Sequence, residues 1–236
     1  MMIKNWHKFS PAISAILNSY KVPKKILKTL LPKKIYDLIW GLVTKNILQP
    51  TYRIIFHGET RKAKKRRLAE GFFLKYMNGK GIDIGWEGDK VTKNCDTWGL
   101  ENGDGTHMAG VKDETYDFVY SSHTLEHIND IYTALKNWIR ILKKDKFLIL
   151  YIPDRDLYEK KKELPSNFNL DHKHFFTMYE LNDSNSTIAI IPFMEKNFKN
   201  LELVYKKKCD NEYKNPGPEE HSTGEYSIEL VFQKIS

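Results

Sequence analysis

Residues 80–89 read Lys-Gly-Ile-Asp-Ile-Gly-Trp-Glu-Gly-Asp, a short apolar strand that leads directly into a glycine-containing turn. In an α/β sheet, a strand that ends in such a turn presents a nucleoside cofactor at the carboxyl edge. Gly85 can adopt backbone angles that larger residues resist, and its missing side chain lets a ligand approach the main chain. Asp83 lies inside the apolar strand, where an unpaired carboxylate is costly, so we expect it to have a partner.

The chain of 236 residues is long enough for one sizeable α/β domain with an extension, and its hydrophobic share of 41% is that of a packed globular protein. The net charge of +8 favours acidic partners, namely phosphorylated metabolites, nucleic acid or an anionic membrane face. Two cysteines cannot form a disulfide scaffold, and the first ten residues lack the apolar core of a signal peptide. No stretch reaches the apolar length of a membrane span. We therefore expect a cytoplasmic protein.

Residues 1–77 are predicted to form a helical N-terminal extension. Prolines open helical patterns over residues 11–19, 23–31 and 32–45. Residues 61–77 are predicted to form a further helix whose outer face carries the cations of Arg61–Arg67. Such a face is most often a solvated one; the alternatives are a peripheral contact with the inner face of a membrane and a nucleic-acid patch. We expect the extension to cover the site or to support a homodimer.

From residue 78 onward, predicted strands alternate with predicted helices. The strands begin with the one at Gly81 and continue at residues 116–120, 146–152, 201–205 and 227–233, and the helices lie at residues 130–142 and from residue 177 to 181. Strands separated by helices predict a mostly parallel sheet with right-handed crossovers.

Two further motifs follow the first strand. Asp96 is followed by Gly103-Asp104-Gly105-Thr106-His107, and residues 117–127 read Asp-Phe-Val-Tyr-Ser-Ser-His-Thr-Leu-Glu-His. Together with the Gly85 turn, these stretches resemble the class I S-adenosylmethionine-dependent methyltransferases, with their Asp-h-Gly, Gly-Asp-Ala and Leu-Glu-His motifs. The resemblance covers residues 78–236 and implies a Rossmann-like, seven-stranded, mostly parallel sheet. It also implies S-adenosylmethionine as methyl donor and S-adenosylhomocysteine as product.

The resemblance places the cofactor at the carboxyl edge of the sheet. Asp83 and the Gly85 turn would receive the methionine ammonium and carboxylate, and Asp104 would accept a hydrogen bond from the adenine amino group. Asp96 is the predicted ligand of the ribose hydroxyls, with Glu101 in reserve. The predicted cofactor-binding residues are Asp83, Gly85, Trp86, Asp96, Asp104, Gly105, Thr106, His107, Ser121 and Ser122.

The first motif departs from the family, because a Gly-x-Gly-x-Gly pattern is replaced by Gly85-Trp86-Glu87-Gly88-Asp89. We expect this turn to wrap the cofactor in a non-standard way. A different class of function, a non-catalytic cofactor-binding scaffold that docks through its basic helix, is the alternative. Nucleic acid is not expected as a partner, because the fourth motif lacks the Asn/Asp-Pro-Pro-Tyr element of base-methylating enzymes.

A second stretch follows the last central strand. Residues 151–159 read Tyr-Ile-Pro-Asp-Arg-Asp-Leu-Tyr-Glu, and residues 171–176 read Asp-His-Lys-His-Phe-Phe. They resemble a pattern in methyltransferases of bacterial capsule and lipopolysaccharide gene clusters, which implies an acceptor oxygen or nitrogen on a surface-polysaccharide precursor. The cationic residues favour a phosphorylated or nucleotide-linked group, and a sugar hydroxyl or amine is the alternative. The predicted catalytic residues are His172, His174, His123, Arg155 and Tyr158.

These residues also have structural interpretations. Asp154 and Asp156 suit turn capping, with Arg155 paired to them as an ordinary salt bridge. Residues 172 and 174 share one side of an extended segment, which is also a metal-ligand geometry, but the sequence offers no evident third ligand and we predict no metal. The pair Glu126-His127 is expected to be packed at a helix start.

Overall fold

The structure, a computed structural model, describes residues 58–236 except 87, 181–183, 185, 216 and 218–219. The helices predicted over residues 11–19, 23–31 and 32–45 lie outside the described residues. The described helices are α1 (Glu59–Lys62), α2 (Lys64–Ala69), α3 (Phe72–Tyr76), α4 (Ile131–Ile141) and α5 (Ile190–Asn197). The described strands are β1 (Gly81–Ile84), β2 (Asp96–Trp98), β3 (Tyr116–Ser122), β4 (Leu142–Pro153), β5 (Phe175–Thr177), β6 (Thr187–Ala189), β7 (Leu201–Cys209) and β8 (Ser227–Lys234).

The main sheet has the order β2-β1-β3-β4-β8-β7. Strands β2, β1, β3 and β4 are parallel, whereas β8 and β7 are antiparallel to their neighbours. The predicted Rossmann-like, mostly parallel sheet is confirmed, but it contains six described strands rather than seven, and β5 and β6 form a separate small sheet. A parallel crossover needs a dozen or more residues, so residues 99–115 have room for one connection and no additional strand.

Side chains alternate between the two faces of the sheet because successive strand residues point to opposite sides. Val119, Leu148 and Leu150 pack in one core, which also contains the buried residues of α4 and α5. Tyr120 and Tyr151 belong to a second core, which also contains residues of α3. Both faces of the central strands are therefore covered, as in other parallel sheets.

Helix α4 agrees with its predicted span. The side chain of Asp130 caps it by accepting a hydrogen bond from the Thr133 N–H at 3.0 Å. The helix predicted from Thr177 is wrong, because Thr177 is the last residue of β5 and pairs with Ala189 of β6. The next described helix, α5, begins instead at Ile190.

The basic segment differs most from the prediction. Residues 59–76 form three short helices rather than one, and Gly71, with φ +65°, separates α2 from α3. Arg66 and Arg67 are buried, so they do not belong to a basic outer face. Arg66 pairs with Glu225 at 2.8 Å, and Arg67 pairs with Glu229 at 2.7 Å. These carboxylates attract the two arginines into the protein, and the surface patch is correspondingly smaller.

Among the helices that the structure describes, none combines the length and the apolar character that crossing a membrane would require.

Candidate functional site

The turn after β1 is built around Gly85. Its φ is +82°, in the left-handed region, and its N–H donates to the Trp98 carbonyl at 2.8 Å. A Cβ atom at this position would lie 1.8 Å from Oγ1 of Thr124. Only glycine therefore satisfies both the backbone angle and the close approach of the segment that follows β3.

Asp83 is buried in β1, two residues before Gly85. Its Oδ2 accepts a hydrogen bond from the Val91 N–H at 2.9 Å, which supplies the partner that its burial requires. Burial raises the pKa of the Asp83 carboxyl to about 7, and the Val91 N–H partly offsets that effect. Asp83 thus fixes the far end of the loop that begins at Gly85.

The turn that contains Asp104 lies against the carboxyl end of β1. A Cβ at Gly105 would be 3.5 Å from Ile84, and the Gly105 carbonyl accepts from the Trp138 indole N–H at 2.9 Å. The Asp104 carboxylate is exposed and accepts from the Thr106 N–H at 2.7 Å, a bond that lowers the pKa of Asp104. His107 is exposed beside it, 3.9 Å from the carboxylate. The structure therefore brings this motif and the Gly85 turn to the same edge.

Asp96 is placed elsewhere. It is the first residue of β2 and pairs in register with Ile82, so it lies toward the amino end of a parallel strand. Its carboxylate accepts from the Tyr116 hydroxyl at 3.0 Å and lies 3.4 Å from Nζ of Lys80. The assignment of Asp96 to the ribose is therefore corrected. The short β2 places the reserve residue, Glu101, just beyond the carboxyl end of that strand.

We expect Glu101→Gln to weaken binding of S-adenosylhomocysteine about 10- to 100-fold, because a hydrogen bond to a charged group contributes about 1.5–3 kcal/mol. Asp96→Asn, the same chemical change at the opposite edge, should leave the affinity within about twofold of the original. Titration calorimetry measures both. If Asp96→Asn lost more affinity for S-adenosylhomocysteine than Glu101→Gln, Asp96 would be the ribose ligand after all.

Two buried polar atoms near the carboxyl edge suit a polar ligand. Oγ of Ser121, near the end of β3, and Nε1 of Trp86, directly after Gly85, have no hydrogen-bond partner among the described residues. Ser121 pairs in register with Ile84, the residue before Gly85, and Ser122 ends the strand. Unpaired buried polar atoms are costly, so their presence at this edge fits a nucleoside cofactor with hydroxyl and amino groups.

A cluster of ionisable side chains lies directly beyond Ser122. We call His123, Glu126, His127, Glu159 and His172 the His–Glu cluster. Oε1 of Glu126 is at its centre, 3.7 Å from Nδ1 of His123, 3.9 Å from Nε2 of His127 and 4.0 Å from Nε2 of His172. Glu126 is fully buried, and neither of its carboxylate oxygens accepts a hydrogen bond from another described residue.

The histidines of this cluster are held by other polar groups. Nδ1 of His172 is 2.6 Å from Glu159, whose second oxygen accepts from the Ser166 hydroxyl. Nδ1 of His127 is 3.0 Å from Asp171. Nε2 of His123 is 2.8 Å from Oγ of Ser227. The backbone of His123 has a φ of +49°, in the left-handed region. The rings are therefore oriented before any ligand binds.

Burial determines the proton affinities within the cluster. It raises the pKa of the Glu126 carboxyl to about 8, and the nearby carboxylates of Glu159 and Glu59 act in the same direction. Burial also lowers the pKa of His123 well below its ordinary value. His123 is therefore a neutral imidazole near pH 7, a form that can accept a proton.

The remaining predicted catalytic residues, Arg155, Tyr158 and His174, are not members of the His–Glu cluster. Arg155 is buried, with its Nε 2.8 Å from Asp156, while Asp154 accepts from the N–H groups of residues 156 and 157. This is the structural alternative of a capped turn with an internal salt bridge. Tyr158 is buried, and its ring centroid is 5.5 Å from that of His172. His174 is 3.0 Å from the Ile128 carbonyl through Nε2, and so it has a different partner from His172.

Sequence reasoning did not identify three acidic members of this region. Glu126 was interpreted as packing, Glu159 was quoted within a motif without a role, and Glu59 was assigned only to the N-terminal extension. Glu59 accepts from the Tyr226 hydroxyl and is 4.0 Å from His123. The one available signal was the position of Glu126 and Glu159 just beyond two strands whose carboxyl ends share an edge.

Residues 67–150 match a family model described as a methyltransferase domain. A comparison of the sequence with curated proteins found no match.

Solved structures provide several fold likenesses. A methyltransferase structure from Thermotoga maritima is 20% identical with a TM-score of 0.47, and the match covers 83% of this chain and 99% of that chain. One from Archaeoglobus fulgidus is 12% identical with a TM-score of 0.46, over 78% of this chain and 98% of that chain. One from Aquifex aeolicus is 10% identical with a TM-score of 0.45, over 78% and 93% respectively.

Proposed function

We propose that this chain is an S-adenosylmethionine-dependent methyltransferase and that it methylates an oxygen or nitrogen of a polar small molecule held beside the His–Glu cluster. The match of residues 67–150 to a methyltransferase-domain model supports the reaction class. S-adenosylmethionine is the methyl donor and S-adenosylhomocysteine is the product. The acceptor's lone pair attacks the methyl carbon, the carbon–sulfur bond breaks, and the sulfonium becomes a neutral thioether. The acceptor proton passes to a base of the protein.

The position of His123 is the observation that carries this proposal. It directly follows β3, its half-buried ring has a lowered pKa, and the next residue, Thr124, contacts the Gly85 turn. A base at this place would lie between the proposed cofactor edge and the cluster. Since the methyl group is already activated on a sulfonium, alignment supplies most of the rate, and the base removes the released proton.

The charges of the cluster favour one kind of acceptor. Glu126 and Glu159 of the cluster, together with Glu59 beside His123, contribute three carboxyl groups, whereas the buried guanidinium of Arg155 is paired with Asp156. Such surroundings favour a hydroxyl or amine that donates hydrogen bonds over a phosphate, which only accepts them at neutral pH. Within the surface-polysaccharide precursors suggested by the motif at residues 151–159, we therefore propose a sugar hydroxyl or amine ahead of a phosphorylated group.

An acceptor screen tests the function. The protein is incubated with S-adenosylmethionine and a panel of free sugars, amino sugars and nucleotide-linked sugars, and S-adenosylhomocysteine is quantified. We expect turnover with hydroxyl or amino sugars. Binding of S-adenosylhomocysteine with no turnover across the panel would support the scaffold alternative. Turnover only with substrates whose methyl group ends on a phosphate would overturn the proposed acceptor class.

For the active acceptor, we expect His123→Asn to lower kcat about 10²- to 10⁴-fold, the usual contribution of a general base. Asparagine tolerates the left-handed backbone angle of this position, so the local fold should persist. Affinity for S-adenosylhomocysteine, measured by calorimetry, should stay within about twofold. An unchanged kcat would assign the proton to another group.

A further inference from the structure

The three nitrogen atoms around Oε1 of Glu126 form an arrangement that hydrogen bonds do not explain. Their distances of 3.7 to 4.0 Å exceed hydrogen-bond length. Even so, both carboxylate oxygens of Glu126 are buried without a hydrogen-bond partner among the described residues, and buried polar groups are expected to be paired. A bound ion between Glu126 and the surrounding histidines would contact several of these atoms at once.

The tautomers of two histidines sharpen this point. His172 and His127 each have Nδ1 within hydrogen-bond distance of a carboxylate, Glu159 at 2.6 Å and Asp171 at 3.0 Å. A carboxylate accepts, so Nδ1 carries a hydrogen, and in the neutral ring Nε2 presents its lone pair. Both lone pairs then face a carboxylate oxygen. A metal cation at that point would accept an electron pair from each of the three side chains.

A carboxylate bonded to the outer nitrogen of a histidine is also the usual support of a metal ligand. It fixes the tautomer and orients the ring, and it increases the basicity of the inner nitrogen. The structure contains this support twice, once buried and once at the surface. Both carboxylate–histidine pairs lie beside Glu126, whose buried carboxylate oxygens have no hydrogen-bond partner among the described residues. This arrangement is that of a supported metal-ligand set.

We propose that Glu126, His127 and His172 form a binding site for a divalent transition-metal ion of the zinc class. Their ligand atoms lie within 4.8 Å of one another. Tetrahedral bonds of about 2.0–2.1 Å separate ligand atoms by about 3.4 Å, so small rotations would close the site. Two imidazoles and one carboxylate are a donor set that suits Zn²⁺, and the partial exposure of His127 provides access from solvent. His123 is not needed as a ligand, because its outer nitrogen contacts the Ser227 hydroxyl instead.

Calorimetric titration of chelator-treated full-length protein with ZnCl₂ tests this site. We expect about one equivalent of Zn²⁺ to bind, with at least about a tenfold loss of affinity in Glu126→Gln and in His172→Gln. His174→Gln is the matched control, because it makes the same change two residues away in a side chain bonded to a backbone carbonyl. Its affinity should stay within about twofold. Glu159→Gln should weaken binding about 10- to 100-fold through His172.

Two further measurements separate the possible failures. Visible absorption of the Co²⁺-loaded wild type should report a low-symmetry nitrogen and oxygen site. The melting shift produced by S-adenosylhomocysteine shows in each variant that the fold and the cofactor site persist. Wild type that binds S-adenosylhomocysteine but no Zn²⁺ would overturn the metal site and leave the methyltransferase proposal standing. Equal losses in His172→Gln and His174→Gln would also overturn it.

Discussion

Arg67→Ala should lower the free energy of unfolding by about 3–5 kcal/mol, the cost of removing one partner from a buried ion pair. The guanidinium is fully buried, donates to Glu229 at 2.7 Å and to the Tyr120 hydroxyl at 3.1 Å, and lies 4.8 Å from the ring centre of Tyr151. Truncation leaves the Glu229 carboxylate in the interior with less compensation for its charge. Urea unfolding followed by tryptophan fluorescence measures the loss.

The control is Lys65→Ala, two residues away on an exposed part of α2. Its effect should stay within about 0.5 kcal/mol, as for most surface substitutions. Arg67→Lys retains the charge but loses the planar guanidinium, so its loss of unfolding free energy should lie between those of Arg67→Ala and Lys65→Ala. If Arg67→Ala and Lys65→Ala had equal effects, the segment would not be held to the sheet as described.

Gly85→Ala should destabilise the protein by about 2–5 kcal/mol, because two costs act together. A left-handed backbone angle costs an alanine about 1–2 kcal/mol, and overpacking against a filled neighbour costs about 1–3 kcal/mol more. The neighbour is Oγ1 of Thr124, 1.8 Å from the added Cβ. Because the turn must move to admit the methyl group, affinity for S-adenosylhomocysteine should fall at least about tenfold.

Gly88→Ala is the control for the backbone cost alone. Gly88 has φ +105°, and a Cβ there would meet nothing within 4 Å. Its stability loss should therefore be limited to about 1–2 kcal/mol. Thermal and urea unfolding of both variants give the difference. If Gly88→Ala and Gly85→Ala lowered the free energy of unfolding equally, the contact with Thr124 would contribute nothing to the cost at Gly85.

Local patterns predicted the parts of the fold that depend on local residues. The apolar run at β1 and the helical pattern over residues 130–142 each specify their element through neighbours a few positions away. The order of the motifs was also sufficient to place Gly85, Asp104 and Ser121 at one edge, since the ends of parallel strands meet there. S-adenosylmethionine as the donor followed from the same motifs.

Errors arose where a distant partner determines the outcome. Arg66 and Arg67 look like surface cations until Glu225 and Glu229, more than 150 positions later, supply buried carboxylates. Asp96 was interpreted as the acid at the end of the second strand, but it is the first residue of β2, and the register of that strand places it toward the opposite edge. The meeting of Glu126 with His172 likewise depends on how the residue 160–172 loop returns, which no local pattern encodes.

The partnership of α2 with the last strand has a consequence for where an autonomous folding unit begins. Glu225 and Glu229 lie near the C-terminus, and their cationic partners precede β1. A fragment starting at residue 78, the boundary that the sequence predicts, would retain two interior carboxylates without those partners. The two ends of the segment 66–229 therefore stabilise each other. Truncation at either end removes one partner of each ion pair and destabilises the rest of the fold.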